Sequence, residues 1–233
     1  MSDALTSWDL TDGIATLTLD DGKANALSHA MLDEIDAALT KAEAEAKALV
    51  IVGRPGKFSA GFDLQVMMSG PANAAELVGK GARVLLRLYE LPLPVIGACT
   101  GHAVAGGALT LLCTDTRIGV EGDFKIGLNE VAIGMTMPLL AQELARDRLD
   151  PRRLTEATVQ AHMYAPAEAV QVGYLDRVVA PDALLSTANE TAAALAKLPK
   201  KAYGETKRRV RAPMIAHARA TLQQDLAELT GIG

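Results

Sequence analysis

Two short apolar segments, each followed at once by a glycine-rich segment, constrain the fold of this 233-residue chain more than any other feature. Ala48–Val52 precedes the segment 56–64, and Val95–Cys99 precedes the segment 101–108. Short apolar runs bounded by glycine and proline are typical of strands buried on both faces. A helical pattern over residues 73–89 separates the two runs, and this alternation of strands and helices predicts an α/β fold.

The rest of the chain extends this pattern. Alternating residues predict a strand over Ile14–Leu19, and Ser28 is the predicted N-cap of a helix over His29–Glu45. The other predicted elements are a loop at 54–62, a turn at 101–107, a helix at 108–112, strands at 115–120, 124–127 and 175–179, and helices from Asp150, over Pro166–Val172 and from Pro181. We divide the chain into an α/β core, residues 1–180, and a C-terminal helical segment of the same functional domain, residues 181–233.

Composition limits the classes of function. Apolar residues make up 49% of the chain and aromatic residues 3%, so we expect a core of Ala, Val, Leu and Ile. The formal net charge of −5 argues against nucleic-acid binding. The sequence has no membrane-spanning apolar run and no signal-peptide pattern, so we expect a cytoplasmic protein without a membrane partner. Cys99 and Cys113 lie among apolar residues and are predicted to be reduced core residues.

One basic cluster lies near the C-terminus. It comprises Lys200, Lys201, Lys207, Arg208, Arg209 and Arg211. The residues alone leave two interpretations open, a solvated helix face or a patch for the phosphates of a ligand. The four histidines lack the spacing of metal ligands, so no metal site is predicted.

The two glycine-rich segments are also candidates for chemistry. Glycine lets a backbone approach a ligand closely, and N–H groups from two facing segments would form an oxyanion hole. Neither segment has a common phosphate-binding motif, and Ser59 does not lie in a G-x-S-x-G nucleophile motif. From the residues alone, ordinary tight turns explain both segments better.

Glu130 is the carboxylate of most interest because it lies among apolar residues, in the segment 127–134. Burial there would raise its pKa and make it a competent base. The residues alone also leave open a structural alternative, in which this glutamate begins a helix and accepts hydrogen bonds from backbone N–H groups.

Five segments, in order along the chain, resemble segments of the crotonase superfamily, which includes enoyl-CoA hydratases and isomerases. They are 21–27 with its Lys-x-Asn-Ala-Leu pattern, 58–64, 101–107, 126–134 and 166–176. Any one of them is weak evidence. Five in this order, at suitable spacing, make the chain similar to this superfamily over most of its length.

The resemblance implies a fold, a substrate and a site. The fold is a crotonase-like spiral of β-β-α units with a C-terminal helical region, assembled as a homotrimer or a dimer of trimers. The substrate is an acyl-CoA, and no metal or further cofactor is implied. The N–H groups of Phe62 and Gly106 form the implied oxyanion hole. The residues implied in binding CoA and the acyl group are Lys23, Ala24, Ala26, Ala60, Phe62, Asp63, Leu64, Gly106 and Leu109.

The position three residues after Gly106 separates the reactions of the superfamily. Its hydratases use two carboxylates on one water, one at the position of Glu130 and one at the position of Leu109. Leucine cannot polarise water, so the resemblance implies an isomerase in which Glu130 moves one proton and converts 3-enoyl-CoA to 2-enoyl-CoA. The alternatives are an enoyl-CoA hydratase (a lyase) in fatty-acid oxidation, and a degenerate acyl-CoA-binding protein without significant catalysis.

Overall fold

The computed structural model describes residues 4–230, and side chains as far as Glu228. Residues 1–3 of the predicted core and residues 231–233 of the predicted C-terminal segment lie outside the described residues. The strands, in chain order, are β1 (Thr6–Thr11), β2 (Ile14–Leu19), β3 (Ala26–Leu27), β4 (Ala48–Val52), β5 (Gly56–Ser59), β6 (Gly61–Phe62), β7 (Val95–Cys99), β8 (Gly101–Val104), β9 (Thr116–Val120), β10 (Ile126–Gly127) and β11 (Arg177–Val179). The helices are α1 (His29–Glu45), α2 (Leu64–Met68), α3 (Pro71–Glu90), α4 (Gly106–Leu112), α5 (Leu139–Arg148), α6 (Leu154–Ala157), α7 (Pro166–Val172), α8 (Leu184–Leu195) and α9 (Lys200–Thr230).

A six-stranded sheet, in the order β1-β2-β4-β7-β9-β11, forms the centre of the fold. Its strands β1 and β2 are antiparallel, and all its other neighbours are parallel. A smaller parallel sheet has the order β10-β8-β5, and β3 pairs with β6. In β7-β8-α4, a strand of the large sheet is followed by a strand of the small sheet and then by a helix. This order confirms the predicted α/β spiral of β-β-α units.

Both faces of the large sheet are buried at its central strands β4 and β7, as their apolar runs predict. One face contributes to the main core together with α1, α3 and α4. The other face presents Val50, Ile96 and Ile118 to small residues of α8, among them Ala188 and Ala192. Small aliphatic side chains therefore fill the space between sheet and helix, in agreement with the low aromatic content.

The long periodic segments fold as predicted. The helix over His29–Glu45 is confirmed, and the Ser28 hydroxyl accepts a hydrogen bond from the Met31 N–H at 3.2 Å. The helix predicted over 73–89 is α3, which begins earlier because Pro71 occupies its first turn. The strands predicted at Ile14–Leu19, Ala48–Val52 and Val95–Cys99 have the predicted bounds.

The loop predicted at 54–62 and the turn predicted at 101–107 are both wrong. The first segment contains β5 and β6, and the second contains β8 and the start of α4. Gly56 pairs with Gly101 across the small sheet, where a β-carbon at Gly101 would lie 2.2 Å from the Gly56 carbonyl carbon. Close pairing of two backbones, rather than a turn, therefore requires glycine at position 101.

Two shorter elements also differ from the prediction. The strand β1 was not predicted. Most of its residues are exposed, so its sequence lacks the alternation of apolar and polar residues that predicts a strand. The helix predicted from Asp150 begins as a 3₁₀ turn, Pro151–Arg153, before the short α6.

Two residues of the basic cluster lie on the inner side of α9, which packs against α3 and α5. Lys207 and Arg211 are 8% and 6% exposed, and each forms an ion pair of 2.8 Å with Asp115. Both interpretations of the cluster, a solvated face and a phosphate patch, are therefore wrong for these two residues. The other four, Lys200, Lys201, Arg208 and Arg209, are exposed. The division of the chain after residue 180 and an oligomerising role for its C-terminal segment stay predictions.

Cys99 and Cys113 are free and buried, which confirms their predicted place in the core. Burial raises the pKa of both thiols to about 12. No helix within residues 4–230 combines the length and the apolar character that crossing a membrane requires. In the same part of the chain, no three His, Cys, Asp or Glu side chains are grouped as metal ligands.

Candidate active site

The two segments predicted to bind CoA run side by side because β3 and β6 pair in parallel. Ala26 lies opposite Gly61, and the Ala60 N–H donates to the Ala24 carbonyl at 3.0 Å. Lys23 is exposed just before this pair of strands. The structure therefore brings the predicted residues of both segments onto one stretch of surface.

Asn25 and Ser59 hold these two segments together, a role that the sequence reasoning missed. The Asn25 amide nitrogen lies 2.8 to 3.1 Å from three backbone carbonyls, two of them on β5. The Ser59 hydroxyl donates to the Asn25 carbonyl at 2.7 Å and accepts from the Gly61 N–H at 3.2 Å. Both side chains are almost completely buried. Asn25 and Ser59 could have been noticed in the sequence, because each is a polar residue inside one of the segments that resemble the superfamily, 21–27 and 58–64.

The backbones of Phe62 and Gly106 lie next to each other. A β-carbon at Gly106 would lie 3.4 Å from the Phe62 nitrogen, and a β-carbon at Gly61 would lie 3.0 Å from the Gly106 nitrogen. Ala105 has φ +49° and ψ −120°, a conformation that is rare for residues other than glycine and that recurs at functional sites. The turn at Ala105 leads directly into α4, whose first N–H groups have no partner within the helix. The two residues of the predicted oxyanion hole are thus brought together.

The Phe62 ring is tied to α3. A β-carbon at Gly81 would lie 2.3 Å from Cε1 of this ring, so Gly81 provides the space that the ring occupies. The position of the Phe62 ring therefore depends on a glycine more than 15 residues away in sequence, a contact that no local pattern predicts.

A cavity of about 130 Å³ opens beside these backbones. The predicted site residues that line it are Ala60, Phe62, Leu64, Leu109 and Glu130. The other lining residues are Met67, Val78, Ala105, Asn129, Ile133, Met135 and Pro138. The predicted residues outside its wall are Lys23, Ala24, Ala26, Asp63 and Gly106. A mostly apolar wall with a few polar groups is typical of a pocket for an apolar ligand.

Glu130 reaches the cavity from the segment that follows β10. It is 7% exposed, and its Oε2 atom is buried without a hydrogen-bond partner among residues 4–230. Burial raises the pKa of this carboxyl, and its own backbone N–H only partly opposes the shift. The expected increase in pKa is confirmed. Glu130 is also the N-cap residue of a 3₁₀ turn, Val131–Ile133, as the structural alternative expects, but its side chain forms no capping hydrogen bond with that turn.

Neither Leu109 nor Asp63 supplies a second acid to the cavity. Leu109 lies one turn into α4, is 4% exposed and contributes an apolar side chain to the wall. Asp63 caps α2, because its Oδ1 atom accepts from the Gln65 N–H at 2.8 Å and from the Val66 N–H at 3.4 Å. Within the described residues, Glu130 is therefore the one carboxylate in the cavity wall.

Comparison with known families and proteins gives a consistent result. The enoyl-CoA hydratase/isomerase family matches residues 9–231 of the chain. The chain is also similar to the Homo sapiens protein "enoyl-CoA delta isomerase 1, mitochondrial". The two are 32% identical over 204 residues, which span 85% of this chain and 68% of that protein.

Solved structures show the same likeness. An enoyl-CoA hydratase/isomerase family protein from Pseudomonas syringae is 43% identical, with a TM-score of 0.95 and coverage of 97% of this chain and 98% of that chain. An apo enoyl-CoA isomerase from Mycobacterium tuberculosis is 38% identical, with a TM-score of 0.92 and coverage of 98% and 100%. The resemblance of the five sequence segments is thereby confirmed over the whole fold.

Proposed function

The chain belongs to the enoyl-CoA hydratase/isomerase family, and we propose that within this family it is an isomerase that converts 3-enoyl-CoA to 2-enoyl-CoA. The observation that carries the proposal is the pairing of Glu130 with an apolar Leu109 in one cavity wall. Addition of water needs groups that hold and polarise that water. A shift of a double bond needs only one base that removes a proton and returns it to another carbon.

In the proposed reaction, Glu130 removes a proton from C2 of the 3-enoyl thioester. The electrons move onto the thioester oxygen and form a dienolate, which accepts hydrogen bonds from the N–H groups of Phe62 and Gly106. Glu130 then delivers the proton to C4, and the double bond comes to lie between C2 and C3. One such acid–base group typically contributes about 10²–10⁴ in rate, and one oxyanion-hole donor about 10²–10³.

The raised pKa of Glu130 supports its role as the base. A buried carboxylate is a stronger base than an exposed one, because removing a proton from carbon restores the neutral form that burial favours. The apolar cavity also keeps bulk water away from the dienolate, which strengthens hydrogen bonds from the two backbone donors. These conditions suit reversible proton transfer between two carbons.

We place the CoA portion along the paired segments that contain Lys23, Ala24 and Ala26 on one side and Ala60, Asp63 and Leu64 on the other. The support is their parallel alignment, which exposes backbone groups next to the mouth of the cavity. No metal or redox cofactor takes part in the proposed reaction.

The two alternative functions make different demands on the site. A hydratase would need a second acid in place of Leu109, and the carboxylate of Asp63 is already engaged in capping α2. A protein that only binds acyl-CoA would need no base, so the burial of Glu130 would bring it no benefit.

Substitution of Glu130 by glutamine tests the proposal. Glu130→Gln keeps the size of the side chain but removes the base, so we expect kcat for 3-enoyl-CoA isomerisation to fall by about 10²–10⁴. Calorimetric titration should show unchanged affinity for the acyl-CoA. The matched control is Glu156→Gln on α6, outside the cavity, which should leave both quantities unchanged.

Two results would contradict the isomerase assignment. Rapid hydration of crotonyl-CoA that Glu130→Gln abolishes would make the protein a hydratase. Tight binding of acyl-CoA by the wild type, without turnover of 2-enoyl or 3-enoyl thioesters of any chain length, would make it a binding protein.

A further inference from the structure

A second cavity lies beside α9, apart from the candidate active site. Its volume is about 470 Å³, within the range of about 300–1,000 Å³ that is typical of sites for small molecules. Its wall includes Asp115, just before β9, and Arg148, the last residue of α5. Asp115 also accepts from the N–H of Val95, the first residue of β7, so this cavity lies where the parallel strands begin. Within residues 4–230 the two cavities share no lining residue.

This cavity contains more positive than negative charge. Arg148, Lys207 and Arg211 line it, and Asp115 is the one carboxylate in its wall within the described part of the chain. Lys207 and Arg211 both pair with Asp115 at 2.8 Å, and the Val95 N–H donates to the same carboxylate. One carboxylate therefore serves three cations. Burying charge without a counter-charge is costly, so the excess favours a bound anion.

Arg148 is the cation that lacks a counter-charge. Among residues 4–230 it forms no ion pair, its Nη2 atom donates to the Thr114 carbonyl at 2.8 Å, and its Nε atom is buried without a hydrogen-bond partner. Burial lowers the pKa of Arg148, and the positive charges of Arg117 and Arg211 lower it further. A guanidinium can donate two parallel hydrogen bonds to a carboxylate. Arg148 therefore has both the charge and the donors that a bound carboxylate needs.

Lys207 experiences the same excess of positive charge. Burial lowers the pKa of its ammonium to about 8, and Arg211 and Arg148 contribute to the decrease, although Asp115 opposes it. The Tyr203 side chain is also hydrogen-bonded to Asp115. Asp115 is thus fully engaged with its present partners and cannot serve Arg148 as well.

The rest of the wall is largely apolar. Leu198, Pro199, Ala202 and Val210 line the cavity, and Leu198 and Val210 are 48% and 73% exposed. A ligand with an apolar chain would cover these side chains, and each methylene group that it buries would strengthen binding about fourfold. A small inorganic anion would leave them exposed to water. The cavity therefore combines a cationic part with an apolar part.

We propose that this cavity is a binding site for a monocarboxylate with an apolar chain. The carboxylate binds the Arg148 guanidinium, and the chain lies along Leu198 and Val210. One negative charge matches the one cation without a counter-charge, because Lys207 and Arg211 are engaged with Asp115. The site is separate from the active-site cavity and does not depend on the proposed isomerase function.

Calorimetric titration of the wild-type protein with sodium octanoate tests the proposal. We expect saturable binding of one octanoate per chain. Acetate has the charge without the chain, and octan-1-ol has the chain without the charge. Each should bind at least tenfold more weakly than octanoate, because each loses one of the two contributions.

Two variants locate the bound octanoate. Val210→Asp places a negative charge beside the cavity on a side chain that is 73% exposed, so the fold can accommodate it, and octanoate affinity should fall about tenfold by repulsion. Arg148→Gln removes the proposed cationic partner and should lower the affinity about 10- to 100-fold. The matched control is Leu185→Asp on α8, which adds the same charge at an exposed apolar residue outside the cavity and should leave octanoate binding unchanged.

Three results would overturn the inference. Octan-1-ol that binds as tightly as octanoate would show that charge plays no part. Equal octanoate affinity in the wild type, Val210→Asp and Arg148→Gln would place the ligand elsewhere, such as in the active-site cavity. A wild type that shows no saturable binding at millimolar octanoate would also contradict the proposal, and this is the result expected if a second copy of the chain covers the cavity.

Discussion

The burial that makes Glu130 a suitable base also lowers the stability of the protein when this carboxyl is ionised. Its carboxyl ionises near pKa 4.5 in an unfolded chain, and burial raises that pKa in the folded protein. The unfolded state therefore releases its proton first as pH rises. Stability that is fully present below pH 4.5 is lost as pH rises through the raised pKa of the folded protein.

Glu130→Gln should remove this pH-dependent loss. We expect the variant to have a higher free energy of unfolding than the wild type at pH 8 and a similar one at pH 4, because glutamine stays neutral at both. Chemical denaturation of both proteins at the two pH values is the measurement. A variant that is less stable than the wild type at pH 8 would show that the ionised carboxylate is well compensated in the fold.

Gly81 offers a test of how the oxyanion hole is positioned. Gly81→Ala would place a methyl group 2.3 Å from the Phe62 ring, so the ring must move, and we expect the Phe62 backbone N–H to move with it. We expect kcat/KM to fall by up to about 10²-fold, the loss that a 1 Å misplacement can cause. Steady-state kinetics with 3-enoyl-CoA measures it.

Gly79→Ala is the matched control on the same helix. Its β-carbon would meet the end of the flexible Leu226 side chain at 3.1 Å, away from Phe62. Both substitutions improve helix propensity, by about 1 kcal/mol. Equal activity in the two variants would mean that the Phe62 ring does not fix the position of the N–H group.

The role of a single residue could be predicted where a sequence motif contains it. It could not be predicted where the position of its side chain depends on a partner that is distant in sequence. Glu130, Phe62 and Gly106 lie in segments with a recognisable order, so the sequence predicted them as a set. The buried positions of Lys207 and Arg211 depend on Asp115, which lies more than 90 residues earlier in the chain. The local sequence of the basic cluster therefore gave two interpretations that are wrong for these two residues.

At the scale of elements, short strands outside the large sheet form the walls of the candidate site. β5, β6 and β8 end at or next to the cavity, and each is held by backbone pairing rather than by an apolar pattern. Long helices such as α1 and α3 could be predicted because their periodicity and caps are local. The glycine-rich strands could not, since the requirement for glycine comes from a neighbouring backbone that is remote in sequence.

Asn25 should be essential for the alignment of β3 and β6. Asn25→Ala leaves three backbone carbonyls, two of them buried, without their shared donor, so we expect a loss of about 2–4 kcal/mol in the free energy of unfolding. Affinity for CoA thioesters should weaken as well. Urea denaturation and calorimetric titration are the measurements.

Asn73→Ala is the control, because the Asn73 amide on α3 donates a hydrogen bond to an exposed Ser69 hydroxyl at 2.9 Å. It should change stability by less than about 0.5 kcal/mol. A small effect at both positions would contradict the role assigned to Asn25.

At the scale of the whole molecule, Asp115 fastens α9 to the large sheet. Its carboxylate accepts from Lys207, Arg211 and the Val95 N–H, each at 2.8 Å. Asp115→Asn would leave two buried cations without a counter-charge, so we expect a loss of about 3–5 kcal/mol. Hydrogen exchange should then increase along α9. The control, Arg208→Ala, removes an exposed pair with Glu205 and should leave the stability and the exchange along α9 nearly unchanged, because solvent screens exposed pairs.

Assembly as a homotrimer or a dimer of trimers stays a prediction. Val131, Ile133 and Val159 are 45%, 52% and 65% exposed, and such apolar side chains are expected to be covered in an assembly. Native mass spectrometry should therefore show three or six times the chain mass of 24.4 kDa. A monomer at micromolar concentration would contradict the prediction.

The most direct test of a site with one carboxylate compares two reactions on the wild-type protein. kcat/KM is measured for isomerisation of a 3-enoyl-CoA and for hydration of the 2-enoyl-CoA of the same chain length. We predict that isomerisation exceeds hydration by about 10² or more, since hydration lacks its second acid–base group. Hydration as fast as isomerisation, or faster, would contradict the claim that Glu130 acts alone beside Leu109.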